Sequence, residues 1–178
     1  MVKMLHDPPK TIMEVYKMLP EGTLAELING RIYMTPPPNL SHQEISFTIA
    51  GEIYGLIKKR RIGRAFTAPV GVFLDENNNV VQPDIVFVSN KKKKLLKVVD
   101  GIHGSPDFVL EILSPGNRNH DLKKKKTLYE HFQVQEYWIV DPLTKAAVGF
   151  KLVKGLYHEF FRDTGKLKSG VLKATIKF

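Results

Sequence analysis

The feature that most constrains how this chain can fold is a carboxylate in the middle of an apolar strand. Pro106-Asp107-Phe108-Val109-Leu110-Glu111-Ile112-Leu113-Ser114-Pro115 reads as a strand from its apolar, β-branched composition and its Ser-Pro break. Glu111 has apolar neighbours on both sides. A carboxylate so placed costs on the order of several kcal/mol unless a partner, a proton or a metal neutralises it. Beyond it come a basic helical stretch and a second apolar strand, Glu136-Tyr137-Trp138-Ile139-Val140, closed by Asp141-Pro142.

The helical stretch supplies a candidate partner. Asn119 or His120 can cap its start, and Asp121 suits the positive end of its dipole. At about 100° per residue, Leu122, Leu128, Tyr129 and Phe132 fall on one face, with Lys125 at the centre of the arc. Lys123 points roughly opposite, and Lys124 and Lys126 lie at the edges. One of four consecutive lysines is therefore aimed inward, either to meet Glu111 or to snorkel past the stripe to water.

A second acidic position lies in the strand Val80 to Val88, where Pro83-Asp84 interrupts an apolar run. Proline cannot donate to a ladder, so a bulge or break here aims Asp84 out of the pleat. Two carboxylates on neighbouring strands can bind a divalent cation through oxygen, as Mg²⁺ prefers. Asp107 also follows a proline, but four strand residues separate it from Glu111 by roughly 13 Å, too far to share one ion. Asp84 can lie opposite Glu111 if their strands are neighbours.

The rest of the chain supplies the frame. Thr11 to Leu19 reads as a short helix with Thr11 and Glu14 as a capping box. Ala25 to Met34 is a hairpin turning at Asn29-Gly30, and Pro36 to Pro38 is a stiff spacer. Ser41 to about Lys59 is the longest helix, with Ser41 and Glu44 as a second box and Ile45, Ile49, Ile53, Leu56 and Ile57 as its stripe. Strands follow at Ala65 to Leu74 and Val80 to Val88, then a polar, mobile loop from Ser89 to Gly104. Ala146 to Phe161 reads as a hairpin turning near Lys154-Gly155, and the tail to Phe178 as edge strand or loop. From Ser41 onward the order is helix, three strands, helix, strand: one α+β domain over residues 1–178, built on a mixed sheet.

Composition sets the remaining bounds. A formal net charge of +9 and a sequence pI near 9.6 favour polyanionic partners, nucleic acid first among them. The lysine runs 91–94 and 123–126 are solvated faces, or phosphate contacts if a duplex docks. The absence of cysteine removes disulfides and thiolate metal sites and is compatible with a cytoplasmic location. No apolar run approaches a membrane span, and Met1 to Lys10 lacks the apolar centre of a signal peptide. The six histidines show no metal-ligand spacing, and Ser114 lacks the glycine-flanked elbow of a serine hydrolase.

One ordered set of residues is more specific than any of these bounds. Glu26-Leu27-Ile28-Asn29-Gly30, Pro36 to His42, Pro83-Asp84-Ile85-Val86, Pro106-Asp107 through Glu111 to Pro115, Asp121 … Lys125 … Tyr129 and Glu136 to Pro142 resemble the Uma-two endonuclease-like family of the PD-(D/E)XK nuclease superfamily, over roughly Ala25 to Tyr157. The resemblance implies a restriction endonuclease-like, α/β/α sandwich-like fold whose core has the order read above, with added N-terminal and C-terminal hairpins. It implies Asp84 and Glu111 as ligands of Mg²⁺, with Mn²⁺ as a substitute, and Lys125 as the catalytic lysine. The superfamily's usual lysine position, two residues after the acidic one, is Leu113 here, so the role passes to Lys125 on the following helix. Glu26 matches a family acidic position that supports the site; its other reading is a hairpin-surface residue. His42 either faces phosphate or is structural.

The chain is therefore expected to be a metal-dependent endonuclease hydrolysing phosphodiesters, with DNA rather than RNA implied by the resemblance. The alternatives are a non-catalytic nucleic-acid-binding protein that retains the fold and a regulatory module whose basic surface binds an acidic protein. Nucleases of this type often pair to cut both strands, and the apolar C-terminal hairpin is a candidate homodimer surface.

Overall fold

The computed structural model describes residues 8–114 and 118–178, with the backbone alone for 118–122. Thr11 caps α1 (Ile12–Lys17) by accepting the Glu14 N–H at 3.1 Å. Strands β1 (Ala25–Ile28) and β2 (Arg31–Met34) form the expected hairpin, with Asn29 and Gly30 both at positive φ, 50° and 73°, as a type I′ turn requires. Helix α2 (Leu40–Arg60) begins earlier than the sequence pattern suggests. Asn39, not Ser41, is its cap: the Asn39 side chain accepts the His42 N–H at 3.0 Å and the Ser41 hydroxyl at 2.9 Å, and Glu44 stays exposed.

The two runs expected as single strands are each split at a proline. The first becomes β3 (Gly63–Thr67) and β4 (Val72–Phe73), parted around Ala68-Pro69. The second becomes β5 (Val80–Val81) and β6 (Ile85–Ser89), parted at Pro83-Asp84. Without an N–H to give, proline ends a ladder, and here each break transfers the chain from one sheet to another. The expected mobile loop, Ser89 to Gly104, is ordered instead: a 3-10 turn at Asn90–Leu95, then β7 (Leu96–Lys97) and β8 (Gly101–His103). Buried Ile102 anchors it, and β8 runs parallel to β4.

The chain continues through β9 (Phe108–Ile112), α3 (Arg118–His131), β10 (Glu136–Val140), the hairpin β11 (Ala146–Val153) and β12 (Leu156–Thr164), and finally β13 (Lys166–Ser169) and β14 (Ala174–Lys177). The Ser-Pro break at Pro115 and the caps expected from Asn119, His120 and Asp121 lie outside what is described, as does the Leu122 side chain. The main sheet has the order β12-β11-β10-β9-β6-β3, with β9 and β10 parallel and its other pairs antiparallel. The second sheet has the order β2-β1-β5-β4-β8-β7. The N-terminal hairpin is thus the edge of a six-stranded sheet rather than an appendage. The tail, expected as edge strand or loop, pairs with itself as β13–β14.

Strand alternation divides the core in two. Val86, Val88, Val109, Tyr137 and Ile139 face Leu128 and Tyr129 of α3 and the second sheet. Ile85, Phe87, Phe108, Leu110, Trp138 and Val140 face Ile45, Ile49 and Ile53 of α2 together with Leu167 and Ile176 of the tail. A sheet covered on both faces needs apolar residues at every position, which is why its central strands read as continuous apolar runs. Glu111 shares the parity of Val109, so it points to the α3 side. Among the described residues no helix is long and apolar enough to cross a membrane.

Candidate active site

Register decides what stands opposite Glu111. β6 and β9 run antiparallel with Ile85 facing Leu110, so the next step brings Asp84 beside Glu111. Pro83 has ended the regular strand there, and Asp84 Oδ2 accepts the Ile112 N–H at 2.7 Å. Asp107 sits at the other end of β9, accepting the Ser89 N–H at 2.7 Å with Lys92 Nζ 3.5 Å away. It ties that end of the sheet together.

Lys125 and Tyr129 stand one helical turn apart on α3, and both reach the same oxygen. Lys125 Nζ is 3.0 Å from Glu111 Oε1, and the Tyr129 hydroxyl donates to it at 2.6 Å. Lys123 and Lys124 are exposed, Lys126 half-buried and Lys125 buried. From the second sheet, Glu26 Oε1 lies 3.0 Å from Lys125 Nζ and accepts the Gln82 N–H at 2.8 Å. Glu26 is therefore buried and not on the hairpin surface, because β1 is flanked by β2 and β5 and is not an edge. His42, in the first turn of α2, is buried with Nε2 3.2 Å from Asp84 Oδ2. Its Nδ1 has no hydrogen-bond partner among the described residues.

Three carboxylates thus surround one ammonium, and the charges do not balance. Burial pushes the Glu111 carboxyl from 4.5 up to about 8; Lys125 and the Tyr129 hydroxyl oppose this, but Asp84 and Glu26 add to it. For Lys125 burial works downward, yet Glu111, Glu26 and Asp84 outweigh it and hold the ammonium well above its ordinary value. Both partners of one ion pair shift upward: Glu111 chiefly through burial, with Asp84 and Glu26 adding to it, and Lys125 because more than one carboxylate faces its ammonium. Burial, followed by Glu111 and Glu26, also holds the Tyr129 hydroxyl well above the usual range, so it remains a donor.

The cluster lies in a cleft of about 700 Å³ lined by Glu26, His42, Asp84, Glu111 and Lys125. Its walls include Pro36 to Pro38, Phe47 on α2 and the Thr67–Pro69 segment, so the stiff spacer of the sequence forms one side of the opening. Among the described residues no group of three or more histidine, aspartate or glutamate side chains is arranged to hold a metal ion. Lys125 Nζ stands where a shared ion of Glu26 and Glu111 would stand. The donor set nevertheless fits Mg²⁺ at the Asp84–Glu111 pair. Both are hard oxygen ligands, a second carboxylate leaves the cluster short of positive charge, and Mg²⁺ commonly needs only one or two carboxylates beside phosphate and water. The contacts given above use one oxygen of each, Asp84 Oδ2 and Glu111 Oε1.

Sequence reasoning placed Tyr129 on the apolar face of the helix but missed what its hydroxyl meets. The helical spacing of Lys125 and Tyr129, four residues apart on one face, is the signal that finds it. The contact of His42 with Asp84 and that of Glu26 with Lys125 carry no such signal, since each joins elements far apart in sequence.

A family model described as "Putative restriction endonuclease", under the name Uma2, matches residues 13–170. In three dimensions the chain is similar to the crystal structure of a "putative nuclease belonging to DUF820" from Anabaena variabilis. The TM-score is 0.69 at 23% sequence identity, over 85% of this chain and 84% of that one. At that identity the likeness is one of fold. No curated protein matches the chain.

Proposed function

The chain belongs to the Uma2 family, described as "Putative restriction endonuclease", and on that premise we propose that it is a metal-dependent endonuclease hydrolysing phosphodiester bonds in DNA. The observation that carries the reading is the convergence of Asp84, Glu111 and Lys125 on the floor of one cleft, with Glu26 and His42 against them. Asp84 and Glu111, the latter in its deprotonated form, would hold Mg²⁺, with Mn²⁺ as a substitute. When bound, the ion polarises the phosphate and lowers the pKa of its water.

The protein groups divide the remaining work. Lys125 stays protonated, so it serves as a fixed positive charge for the oxygens on which charge develops, not as a base. Tyr129 holds Glu111 through Oε1, and His42 with the Ile112 N–H holds Asp84 through Oδ2, which keeps the second oxygen of each carboxylate aimed. Glu26 fixes the lysine from the second sheet. The lack of cysteine suits a reducing compartment, and the reading extends to a cytoplasmic enzyme that acts as a homodimer to cut both strands.

One observation favours the second reading, a nucleic-acid binder without catalysis: the Lys125 ammonium is already engaged by Glu26 and Glu111. Cleavage assays on supercoiled and branched DNA, and on RNA, with Mg²⁺ or Mn²⁺ decide between them. Cutting that requires metal and is lost in both Glu111→Ala and Lys125→Ala supports the nuclease with its helix-borne lysine. Loss in Glu111→Ala alone removes Lys125 from the mechanism. Salt-sensitive binding with no metal-dependent cutting of any substrate gives the non-catalytic binder.

A further inference from the structure

A second concave surface adjoins the cleft, and its chemistry differs. A groove of about 690 Å³ runs between β2 and α3, with Arg31, Lys123, Lys124 and His131 along it and Tyr33 and Leu128 in its walls. No carboxylate lines it. Among the described residues none of its four basic side chains forms an ion pair. Lys124 instead lies 5.2 Å above the Tyr33 ring and 3.5 Å from its hydroxyl, an arrangement that orients the ammonium without neutralising it.

The groove lies beside the cleft: Tyr33 in its wall is the cross-strand partner of Glu26, which lines the cleft. Tyr33 lines the groove and Met34 the cleft; Lys124 lines the groove and Lys125 the cleft. From Lys124 to His131 is seven residues of helix, about 10 Å, or roughly three base steps of one strand. The other lysine run does not compete for this role. Lys91 to Lys94 follow the far end of β6, where Lys92 is engaged with Asp107 and the Ser105 carbonyl. We infer that the β2–α3 groove is a phosphate-backbone subsite, which carries the nucleic-acid strand on from the cleft through charge contacts of Arg31, Lys123 and Lys124. Most protein–DNA contacts of such side chains go to phosphate oxygens, which set the position of the strand without reading its sequence. The inference rests on the nucleic-acid reading of the cleft, though not on catalysis there.

The test is binding of a short DNA duplex in EDTA, followed by fluorescence anisotropy over a range of KCl. The triple variant Arg31→Ala, Lys123→Ala, Lys124→Ala is compared with wild type and with a control carrying Lys91→Ala, Lys93→Ala and Lys94→Ala. Thermal melts establish that all three are folded. Each phosphate contact removed lowers the slope of log K against log salt by about 0.9, so the groove variant loses up to about three while the control keeps the wild-type slope. Hydrolysis of bis(p-nitrophenyl) phosphate with Mn²⁺, which is too small to reach the groove, is unchanged in the groove variant. A folded groove variant with the wild-type slope overturns the subsite and leaves the nuclease standing. Equal losses in variant and control also overturn it, since the effect is then general surface charge. A wild type that hydrolyses nothing, but whose slope still falls on removing the groove, supports the subsite and sinks the nuclease. A wild type that binds no DNA sinks both.

Discussion

Replacing Glu111 by glutamine should stabilise this protein at alkaline pH while abolishing its proposed chemistry. The amide keeps an oxygen to accept from Tyr129 and Lys125, so packing is little changed, but it removes a charge crowded by Asp84 and Glu26. The size of the effect follows from linkage. Between the ordinary value of 4.5 and about 8, the native protein holds a proton on Glu111 that the unfolded chain has released. Native wild type therefore loses stability as pH rises through that window, and the loss is complete above the native value. The window spans about 3.5 pH units, and at ~1.4 kcal/mol per unit the ceiling is about 5 kcal/mol. Urea denaturation of wild type and Glu111→Gln at matched pH isolates the term, because other titrating groups cancel in the difference. The stability of the variant relative to wild type should climb by about 2–4 kcal/mol from pH 5 to pH 9, since the scan starts just above the ordinary value. Lys125, whose native value is raised, loses its contribution only above the ordinary lysine range and does not enter this window. A difference independent of pH, or one in which wild type gains on the variant as pH rises, would mean that Glu111 is ionised in the native state and that Lys125 compensates it fully.

Three further outcomes probe the frame around the site. Asn39→Ala should lower stability by about 1 kcal/mol, whereas Ser41→Ala costs only a few tenths (~0.3 kcal/mol), as read by denaturant midpoints; the reverse order would restore Ser41 as the cap. Glu136 is buried and accepts from Trp138 Nε1 at 3.1 Å, Ser169 Oγ at 2.6 Å, Gly170 N at 2.7 Å and Val171 N at 2.9 Å. Glu136→Ala strands these donors and should cost about 3 kcal/mol or more, with a red shift of emission from Trp138, the single tryptophan; an unshifted spectrum and intact midpoint would count against this carboxylate as the tie to the tail. A Cβ on Gly149 would lie 2.7 Å from the Trp138 ring, so Gly149→Ala should lower the melting midpoint by the equivalent of about 1–3 kcal/mol; an unchanged midpoint would mean that the ring moves freely.

The sequence determined what is local or periodic. Two consecutive residues able to take positive φ set the Asn29-Gly30 hairpin, and the apolar runs of β9 and β10 marked strands buried on both faces. Helical phase singled out Lys125 from its three neighbours because a helix shows the core a fixed arc, whatever the core turns out to be. Pro83 announced a break before Asp84 for the same local reason: it has no N–H to give. Where those breaks lead was not legible. That the halves of two apparent strands belong to different sheets, and that Ile102 draws a polar stretch into the second of them, depends on partners distant along the chain. The pairing of Asp84 with Glu111 needed the register of β6 on β9, and the burial of Glu26 needed β5 to cover β1. Periodicity reports which face of an element is apolar but not which other element will meet it. Lys125 was therefore visible from the sequence as an inward-facing lysine, while the three carboxylates that surround it were assembled only by the tertiary structure.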